Sequence, residues 1–482
     1  MTETRTAAPS APRPALRPTP PAAVIASVAL VELSSGVTQG FLSPVLHRLT
    51  DTLHVTAADL NWLSICNLLA SVAFTPVLSR MGDLYGHRRL LRWTLAIVLT
   101  GSLVVGLSTS FGMLLVGQVL QGAFAGFFPL LVGILRNRSG EGENRRGISF
   151  MVAALVGGIA LGLVASGLVA QYVAQPTAAL WVPAVGVALA LIVTWPLLPE
   201  SDHRPGGSVD WLGGIVLSVG LVAIMLGLGK GGTPGWEWTS PTTLGCLVGG
   251  TLATALFALV ELRTPEPMID VRLFARRGIV VVSLVAVTFS FCMIGLQVAN
   301  PVFLSTVPGE AGYGLGLTPL GTAFAMLPNM AAIAVGSLAA PAVAAKVGDR
   351  ATLVSGSLLM AAGYAGALAT HASLWPFLGT TVVAGIGVGF LQHSTRTLAV
   401  EMVPRDQTSV GSGINELLIN VGGSLGAAAV LAVSAKATPA GSPLPRLDAY
   451  TTSWTLCVVV CLAGAVVALF LRPAPKQPTS AH

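Results

Sequence analysis

Charge is scarce in this sequence, and the scarcity limits the class of protein. Asp, Glu, Lys and Arg make up 10% of the 482 residues, 53% are apolar, and the mean hydropathy is +0.77. A water-soluble domain carries about 25% charged residues to cover its surface. The composition therefore excludes a soluble globular protein.

Several chemical signatures are also missing. The five cysteines show no CxxC spacing, so we expect no disulfide and no metal site. No phosphate-binding loop of the P-loop type is present, which excludes ATP-driven transport within this chain. The stretch "GGSLG" matches the G-x-S-x-G motif of serine hydrolases, but it lies in an apolar run and lacks the strand–turn–helix context of that motif. We therefore expect no enzyme activity and no cofactor.

What the sequence has instead is a series of long apolar runs. A run of about 18 or more residues can cross the ~30 Å hydrocarbon core of a bilayer as a helix. No segment shows the period-two alternation of a membrane strand. The sequence predicts an all-α polytopic membrane protein with fourteen spans. We place the spans near 22–45, 57–78, 89–108, 113–135, 148–171, 179–198, 211–229, 242–262, 279–303, 318–345, 352–371, 375–400, 411–434 and 452–471.

The positive charges predict the orientation of these spans. Of the 26 Lys and Arg residues, all but four fall in the two tails and in every second loop. Because cytoplasmic loops carry the excess of Lys and Arg, we expect both termini in the cytoplasm and the chain in the cell (inner) membrane. The net charge of +6 then reflects topology, and we expect no nucleic-acid partner. The four exceptions are Arg48, Lys230, Lys436 and Arg446.

The segment 79–92, "SRMGDLYGHRRLLR", concentrates charge between the second and third spans. We interpret it as a short cytoplasmic loop. Asp83 can hold the end of a neighbouring helix through charge and dipole, and Gly86 permits a tight reversal of the chain.

This segment resembles the signature loop of the major facilitator superfamily, G-x-x-x-D-[RK]-x-G-[RK]-[RK], at Asp83, Gly86 and Arg88. In that family the loop joins the two halves of the molecule in the outward-facing state, so the resemblance implies a conformational latch at these three residues. The stretch "AAKVGDRATL" is a weaker repeat of the same loop. The stretches "VDWLGGIVLSVGLVAIMLGL" and "PMIDVRLFARRGI" resemble those beside two extra central helices in the fourteen-helix drug:proton antiporter branch.

The resemblance implies two six-helix bundles, related as a parallel repeat, with two extra helices between them. A tail rich in Pro and Ala precedes the first span and is expected to be disordered. The implied parts are a cytoplasmic tail at 1–21, an N-terminal bundle at 22–198, inserted helices at 211–262, a C-terminal bundle at 279–471 and a second cytoplasmic tail at 472–482.

Several positions depart from the family pattern. Gln118 stands where proton-coupled members have an Arg in the fourth helix, although Gly122 keeps the Gly of R-x-x-x-G. In the fifth helix, Leu163 and Ser166 replace the Pro and one Gly of the antiporter motif G-x-x-x-G-P-x-x-G-G. Asn67 replaces an aromatic residue of the second span. These changes weaken the expectation of standard proton antiport and leave the predicted architecture intact.

Two acids inside spans are candidates for proton coupling. A charged side chain at the bilayer centre costs about 2.5–3.5 kcal/mol on insertion scales, so such residues usually face a water-filled cavity. Glu32 lies within the first span, one turn before Ser35, where the family often has an acid. Glu416 lies in the thirteenth span, nearer its cytoplasmic end. A structural hydrogen bond to a neighbouring helix remains the alternative for both.

Other polar residues inside spans are candidates for a substrate cavity. Most of them are neutral, which disfavours a strongly charged solute. Arg396 is equally compatible with a position at the cytoplasmic surface, reached by its long side chain. The candidates are Asn67, Gln118, Gln121, Gln297, Asn300, Gln392, His393 and Arg396.

Together these features predict a monomeric secondary transporter that exports hydrophobic or amphipathic small molecules of the drug or antibiotic type by proton antiport with alternating access. The predictions of export and of proton coupling come from the family resemblance. The residues alone predict only a transporter with one or two intramembrane acids. One alternative is an uncoupled facilitator or an importer of a specific metabolite. The other is a polytopic sensor or enzyme on the same scaffold.

Overall fold

The computed structural model describes residues 21–42, 45, 57–138, 141–173, 175, 177–198, 210–232, 235–264, 272, 276–404, 407–439 and 444–471. The predictions for the two tails therefore fall almost entirely outside the described residues. Every long element within these ranges is helical.

Fourteen helices in the described part of the chain are long and apolar enough to cross a membrane, which confirms the predicted number and the all-α class. The fourth, α4, spans 111–138 as two α-helical pieces, Phe111–Gln121 and Phe127–Arg138, joined by the 3₁₀ turn Gly122–Gly126. The others are α1 Pro21–Gly40, α2 Ala57–Tyr85, α3 His87–Gly106, α5 Glu141–Tyr172, α6 Val182–Leu197, α7 Trp211–Lys230, α8 Pro241–Glu261, α9 Arg277–Ser305, α10 Pro319–Val347, α11 Asp349–Thr370, α12 Leu374–Glu401, α13 Thr408–Ala437 and α14 Leu447–Ala468.

The first six and last six helices pack in the same internal order, and we call them the N-half and the C-half. In the N-half, α1 packs mainly on α5, and α4 packs on α2 and α3. In the C-half, α9 packs mainly on α13, and α12 packs on α10 and α11. These pairs correspond when α1 is matched with α9, as expected for a parallel repeat.

The two halves meet along two equivalent pairs of helices. Helix α5 packs against α10, and α2 packs against α13. The inserted helix α7 lies beside α2 and α13, with Leu221, Met225 and Leu417 in one apolar cluster. Helix α8 packs chiefly on α7, so its outer face is left for lipid. The contact between the halves is thus formed chiefly by α2, α5, α10 and α13.

The prediction of a loop over 79–92 is wrong. Helix α2 continues to Tyr85 and α3 begins at His87, so only Gly86 lies between them. Its φ of 101° is in a region that L side chains avoid, which is why one residue suffices to reverse the chain. Gly348, with a φ of 89°, makes the same one-residue turn between α10 and α11, so the weak sequence repeat at this loop is also a structural repeat.

Candidate functional site

A cavity of ≈ 480 Å³ lies between the two halves. This volume is within the range of about 300–1,000 Å³ that holds drug-sized ligands. The cavity reaches from the middle of the bundle toward the end at which α1 finishes and α2 begins, where the exposed Gln39 and Ser64 line it. The predicted site residues that line it are Glu32, Asn67, Gln118, Gln297, Asn300, Gln392, Arg396 and Glu416.

Glu32 is the most enclosed acid of the cavity wall. The residue is 1% exposed, and its Oε1 atom has no hydrogen-bond partner among the described residues. The backbone around it is fixed by the close crossing of α1 and α5. A Cβ at Gly158 would collide with the carbonyl oxygen of Leu33, and one at Gly36 with that of Leu155. Gly158, the first glycine of the fifth-helix motif, therefore allows α5 to pack closely on α1, and this contact positions the segment that carries Glu32.

Arg396 and Glu416 form an ion pair in the opposite wall. The Nε–Oε1 distance is 2.6 Å and the Nη2–Oε2 distance is 3.1 Å, a bidentate geometry. Arg396 also donates to Gln392 Oε1 at 2.7 Å, and its guanidinium lies 4.8 Å from the ring centroid of Phe128. Phe128 belongs to α4, so Arg396 touches both halves. The sequence analysis left two positions open for Arg396, the cavity wall and the cytoplasmic surface. In the structure its side chain lines the cavity.

The amides of the N-half lie where α2 crosses α4. Asn67 Nδ2 donates to the backbone carbonyl of Gln118 at 3.0 Å. A Cβ at Gly122 would press against the backbone of α2 at Asn67 and Ser71, so the glycine retained from the fourth-helix motif permits this crossing. Gln118 is 3% exposed and its Nε2 atom has no partner among the described residues. The family arginine is thus replaced by a buried amide that lines the cavity.

Two predicted cavity residues lie elsewhere. Gln121 is fully buried and donates to Ser102 Oγ at 3.0 Å, between α4 and α3. His393 is 1% exposed, with Nδ1 2.9 Å from Ser149 Oγ, between α12 and α5. Three residues rotate a helix by about 300°, so Gln121 points about 60° away from Gln118 and can contact a different helix. Their assignment to the substrate cavity is corrected accordingly, and His393 instead joins the two halves.

The predicted latch residue Asp83, near the end of α2, contacts the N-terminus of α13. Its carboxylate accepts from the backbone amides of Ser409 at 3.2 Å and Val410 at 3.1 Å, where unpaired N–H groups and the helix dipole favour a negative charge. His87 Nε2 lies 3.0 Å from Asp83 Oδ1 and 2.8 Å from Ser409 Oγ. Gly86 is the turn between these two side chains. The contact therefore joins the N-half to the C-half.

Arg88, the third predicted latch residue, contacts a different helix. It donates to the backbone carbonyl of Trp195 at 3.3 Å, and Arg92 donates to the same oxygen. Trp195 is on α6, so this contact lies within the N-half. The contact with the C-half is made instead by His87, the residue before Arg88, whose Nε2 lies 2.8 Å from Ser409 Oγ.

Two arginines that the sequence analysis did not single out also join the halves at this end. Arg145 of α5 pairs with Asp349 at 2.7 Å and with Glu401 at 2.6 Å. Arg136 donates to the backbone carbonyls of Val400 at 2.6 Å and Val403 at 3.0 Å. The only signal in the sequence was their basic charge, because their partners lie more than 200 positions away. We call this end, with Asp83, Arg136 and Arg145, the latch end; it is closed.

Comparison with known proteins identifies the family. The family model of the Major Facilitator Superfamily matches residues 28–328 and 282–482. The Tetracenomycin C resistance and export protein of Streptomyces glaucescens is 28% identical over 84% of this chain and 74% of its own length. The Uridine/deoxyuridine transporter of Lactococcus lactis subsp. cremoris is 25% identical over 80% of this chain and 81% of its own.

The fold is also found among solved structures. The human organic anion transporter MFSD10 (TETRAN) superposes with a TM-score of 0.67 over 93% of this chain and 99% of its own length, at 15% identity. The family model covers well over half of the sequence, and fourteen helices of the described residues are long and apolar enough to cross a membrane. The chain belongs to the Major Facilitator Superfamily and is a multi-pass membrane transporter.

Proposed function

We propose that this transporter exports hydrophobic or amphipathic small molecules, of the antibiotic or drug type, in exchange for protons. The observation that carries the proposal is Glu32, a buried carboxyl in the wall of a cavity that is closed at the latch end. Export is supported by the similarity to the tetracenomycin exporter, and the small-molecule class by the volume of the cavity.

Glu32 is the proposed proton carrier. Burial penalises a charged carboxylate whose oxygen lacks a partner, so the closed-latch arrangement favours the neutral acid. The bound proton crosses as the halves rock and is released at the latch end once that end opens to water, so the ionised carboxylate favours the open-latch arrangement. The solute binds from the latch end and is carried the other way when the halves rock back, so solute and proton cross the membrane in opposite directions.

Arg396 supplies the positive charge that the fourth helix lacks. Its pairing with Glu416 holds a positive charge at the cavity without leaving it uncompensated. In this proposal Glu32 is the group that carries the proton. Glu416 is accordingly a counter-charge for Arg396 and the weaker of the two proton-coupling candidates.

Opening at the latch end requires the cross-half contacts to separate. The contacts of Asp83, Arg136 and Arg145 all lie on that end, on the same side of the cavity. With the termini in the cytoplasm, as the positive charges predict, the latch end is cytoplasmic and the present arrangement faces outward. We further propose that one chain is sufficient, because the cavity is formed entirely within it.

The test is transport into everted membrane vesicles with an acidified interior. Tetracenomycin C, puromycin and a cephamycin serve as solutes, and Glu143→Gln, at an exposed carboxyl, serves as the matched control. We expect at least one solute to accumulate with the gradient, and the gradient-dependent part to be lost in Glu32→Gln and kept in Glu143→Gln. Accumulation that ignores the gradient, or that Glu32→Gln leaves intact, would contradict proton antiport.

The alternative within transport is an uncoupled facilitator or an importer of a specific metabolite. The similarity to a uridine/deoxyuridine transporter and the lost Pro of the fifth helix favour it. Counterflow of uridine in vesicles without a gradient separates the two. Exchange of uridine that is equal with and without a pH gradient would support the facilitator.

A further inference from the structure

The two walls of the cavity differ in how well their polar groups are paired. In the N-half wall, three atoms have no hydrogen-bond partner among the described residues: Glu32 Oε1, Ser71 Oγ and Gln118 Nε2. All three side chains line the cavity, and the residues are 1%, 4% and 3% exposed. Native proteins leave few buried polar groups unpaired, so three in one wall indicate a place where a ligand supplies the partners.

In the C-half wall, no buried side-chain nitrogen or oxygen atom lacks a partner among the described residues. Arg396, Glu416 and Gln392 bond to one another. Asn300 accepts from Trp454 Nε1 at 3.1 Å, and a further lining amide, on Asn329, donates to the Thr381 carbonyl at 2.6 Å. Gln297 and Asn420 also line this wall, and much of the remainder is apolar and adaptable, with Met293, Met326, Met330, Phe377 and Tyr364.

The N-half groups are held on rigid helix crossings. The crossing of α2 and α4 at Gly122 fixes Ser71 and Gln118, and the bond from Asn67 to the Gln118 carbonyl adds to it. The crossing of α1 and α5 at Gly158 fixes the backbone next to Glu32. A subsite on such elements is positioned before the ligand arrives, which lowers the cost of binding.

We propose that Glu32, Ser71 and Gln118 form a hydrogen-bonding subsite for the polar head of the substrate, an N–H or O–H next to a carbonyl, while the apolar body lies against the C-half wall. The proposal rests on small-molecule transport through this cavity. The Gln118 amide donates to the carbonyl, and the Glu32 carboxyl and the Ser71 hydroxyl accept from the N–H or O–H. Carboxamides and hydroxyketones present this pair of groups.

The chemistry predicts selectivity as well as binding. A site built to bond a polar group rejects an analogue that lacks it, because the protein groups are then left buried and unpaired. Removing the carbonyl or the N–H from a probe should therefore reduce its affinity for this protein. Removing the matching protein group should abolish that preference.

The experiment measures equilibrium binding to the purified full chain in lipid nanodiscs, with no gradient. Three probes share a naphthalene body: 2-naphthamide, N,N-dimethyl-2-naphthamide, which has no N–H, and 2-ethylnaphthalene, which has neither group. The unmodified protein is expected to bind them in that order, with about a threefold to tenfold step for each lost hydrogen bond. In Gln118→Leu, the step between the dimethylamide and ethylnaphthalene should disappear.

The controls separate this subsite from general damage. Ser71→Ala, a small change, should reduce the advantage of 2-naphthamide while ethylnaphthalene still binds, which also reports a folded cavity. Asn300→Leu, at a satisfied amide of the C-half wall, should change all three affinities by the same factor. The subsite is overturned if Gln118→Leu keeps the carbonyl step, if Asn300→Leu removes it, or if no probe binds the unmodified protein.

The outcomes also distinguish this inference from the proposed antiport. Binding here needs no proton gradient, so head-group selectivity with no coupled transport would contradict antiport alone. Coupled transport without head-group selectivity would contradict the subsite alone.

Discussion

At the scale of single residues, the cavity combines one unpaired acid with one complete ion pair. The sequence predicted Glu32, Glu416 and Arg396 as candidates because charged side chains inside spans are costly. It did not predict the pairing of Arg396 with Glu416, because the register between α12 and α13 depends on packing. For the same reason Gln121 and His393, polar residues in the right spans, were assigned to the wrong surface.

The ion pair makes a direct prediction for stability. Glu416→Gln leaves the buried guanidinium of Arg396 without its counter-charge, and breaking a buried pair in this way costs about 3–5 kcal/mol. The Glu416 side chain is 15% exposed, so we expect the lower end of this range. Thermal unfolding in detergent should show a clear fall in midpoint for Glu416→Gln, and partial recovery in Arg396→Met/Glu416→Leu. Equal midpoints for Glu416→Gln and the exposed control Glu143→Gln would contradict a structural role for the pair.

At the scale of elements, close helix crossings place the site. Small residues allow helices to approach without a hydrophobic driving force in lipid, and the sequence analysis noted the glycines of the family motifs. The structure assigns the contacts: Gly158 to the backbone of α1, and Gly122 to that of α2. The motifs predict where these glycines lie in the sequence. They do not predict which helix each glycine contacts, because that helix is far away along the chain.

Adjacent glycines of α5 give a matched test of this crossing. A Cβ at Gly158 meets the backbone of α1, whereas one at Gly157 meets nothing within 4 Å. Gly158→Ala must push α1 away and should destabilise the protein by about 1–3 kcal/mol, the usual cost of overpacking, with loss of transport. Gly157→Ala should leave both unchanged. Similar midpoints and transport rates for the two variants would contradict the assigned role of the crossing.

The one-residue turns between helices make a second prediction at this scale. Gly348 has a φ of 89° but open space around its Cα, so replacing it tests backbone strain alone. Gly348→Ala should cost about 1–3 kcal/mol, because a positive φ combined with its ψ of 159° is a backbone region that is essentially confined to glycine. Gly112→Ala, at a helical glycine with equally open space, should be neutral or slightly stabilising. A loss of unfolding midpoint for Gly348→Ala that is no larger than the loss for Gly112→Ala would refute the strain argument.

At the scale of the whole molecule, the number of spans and the all-α class follow from composition, since apolar length decides them in lipid. The segment 79–92 shows the limit of that argument: helices extend past their apolar runs as far as Tyr85, because polar residues outside the membrane can also be helical. The closed end could not be predicted, because Arg145, Asp349 and Glu401 meet only after the halves dock. In the sequence, these three charged residues resemble those at the polar ends of any membrane-spanning helix.

The central claim is that the protonation state of Glu32 decides which end of the cavity is closed. The most direct measurement is the distance between spin labels at Glu143 of α5 and Arg350 of α11, both exposed at the latch end. The labels are placed on a background in which the half-buried Cys66 and Cys246 are replaced by Ser.

We expect the unmodified Glu32 protein to show mostly short distances at low pH and a growing population of longer distances as the pH rises, because ionised Glu32 destabilises the closed-latch arrangement. In Glu32→Gln the short distances should persist at every pH. A pH response of the same size in Glu32→Gln, or none in the protein that retains Glu32, would contradict the account.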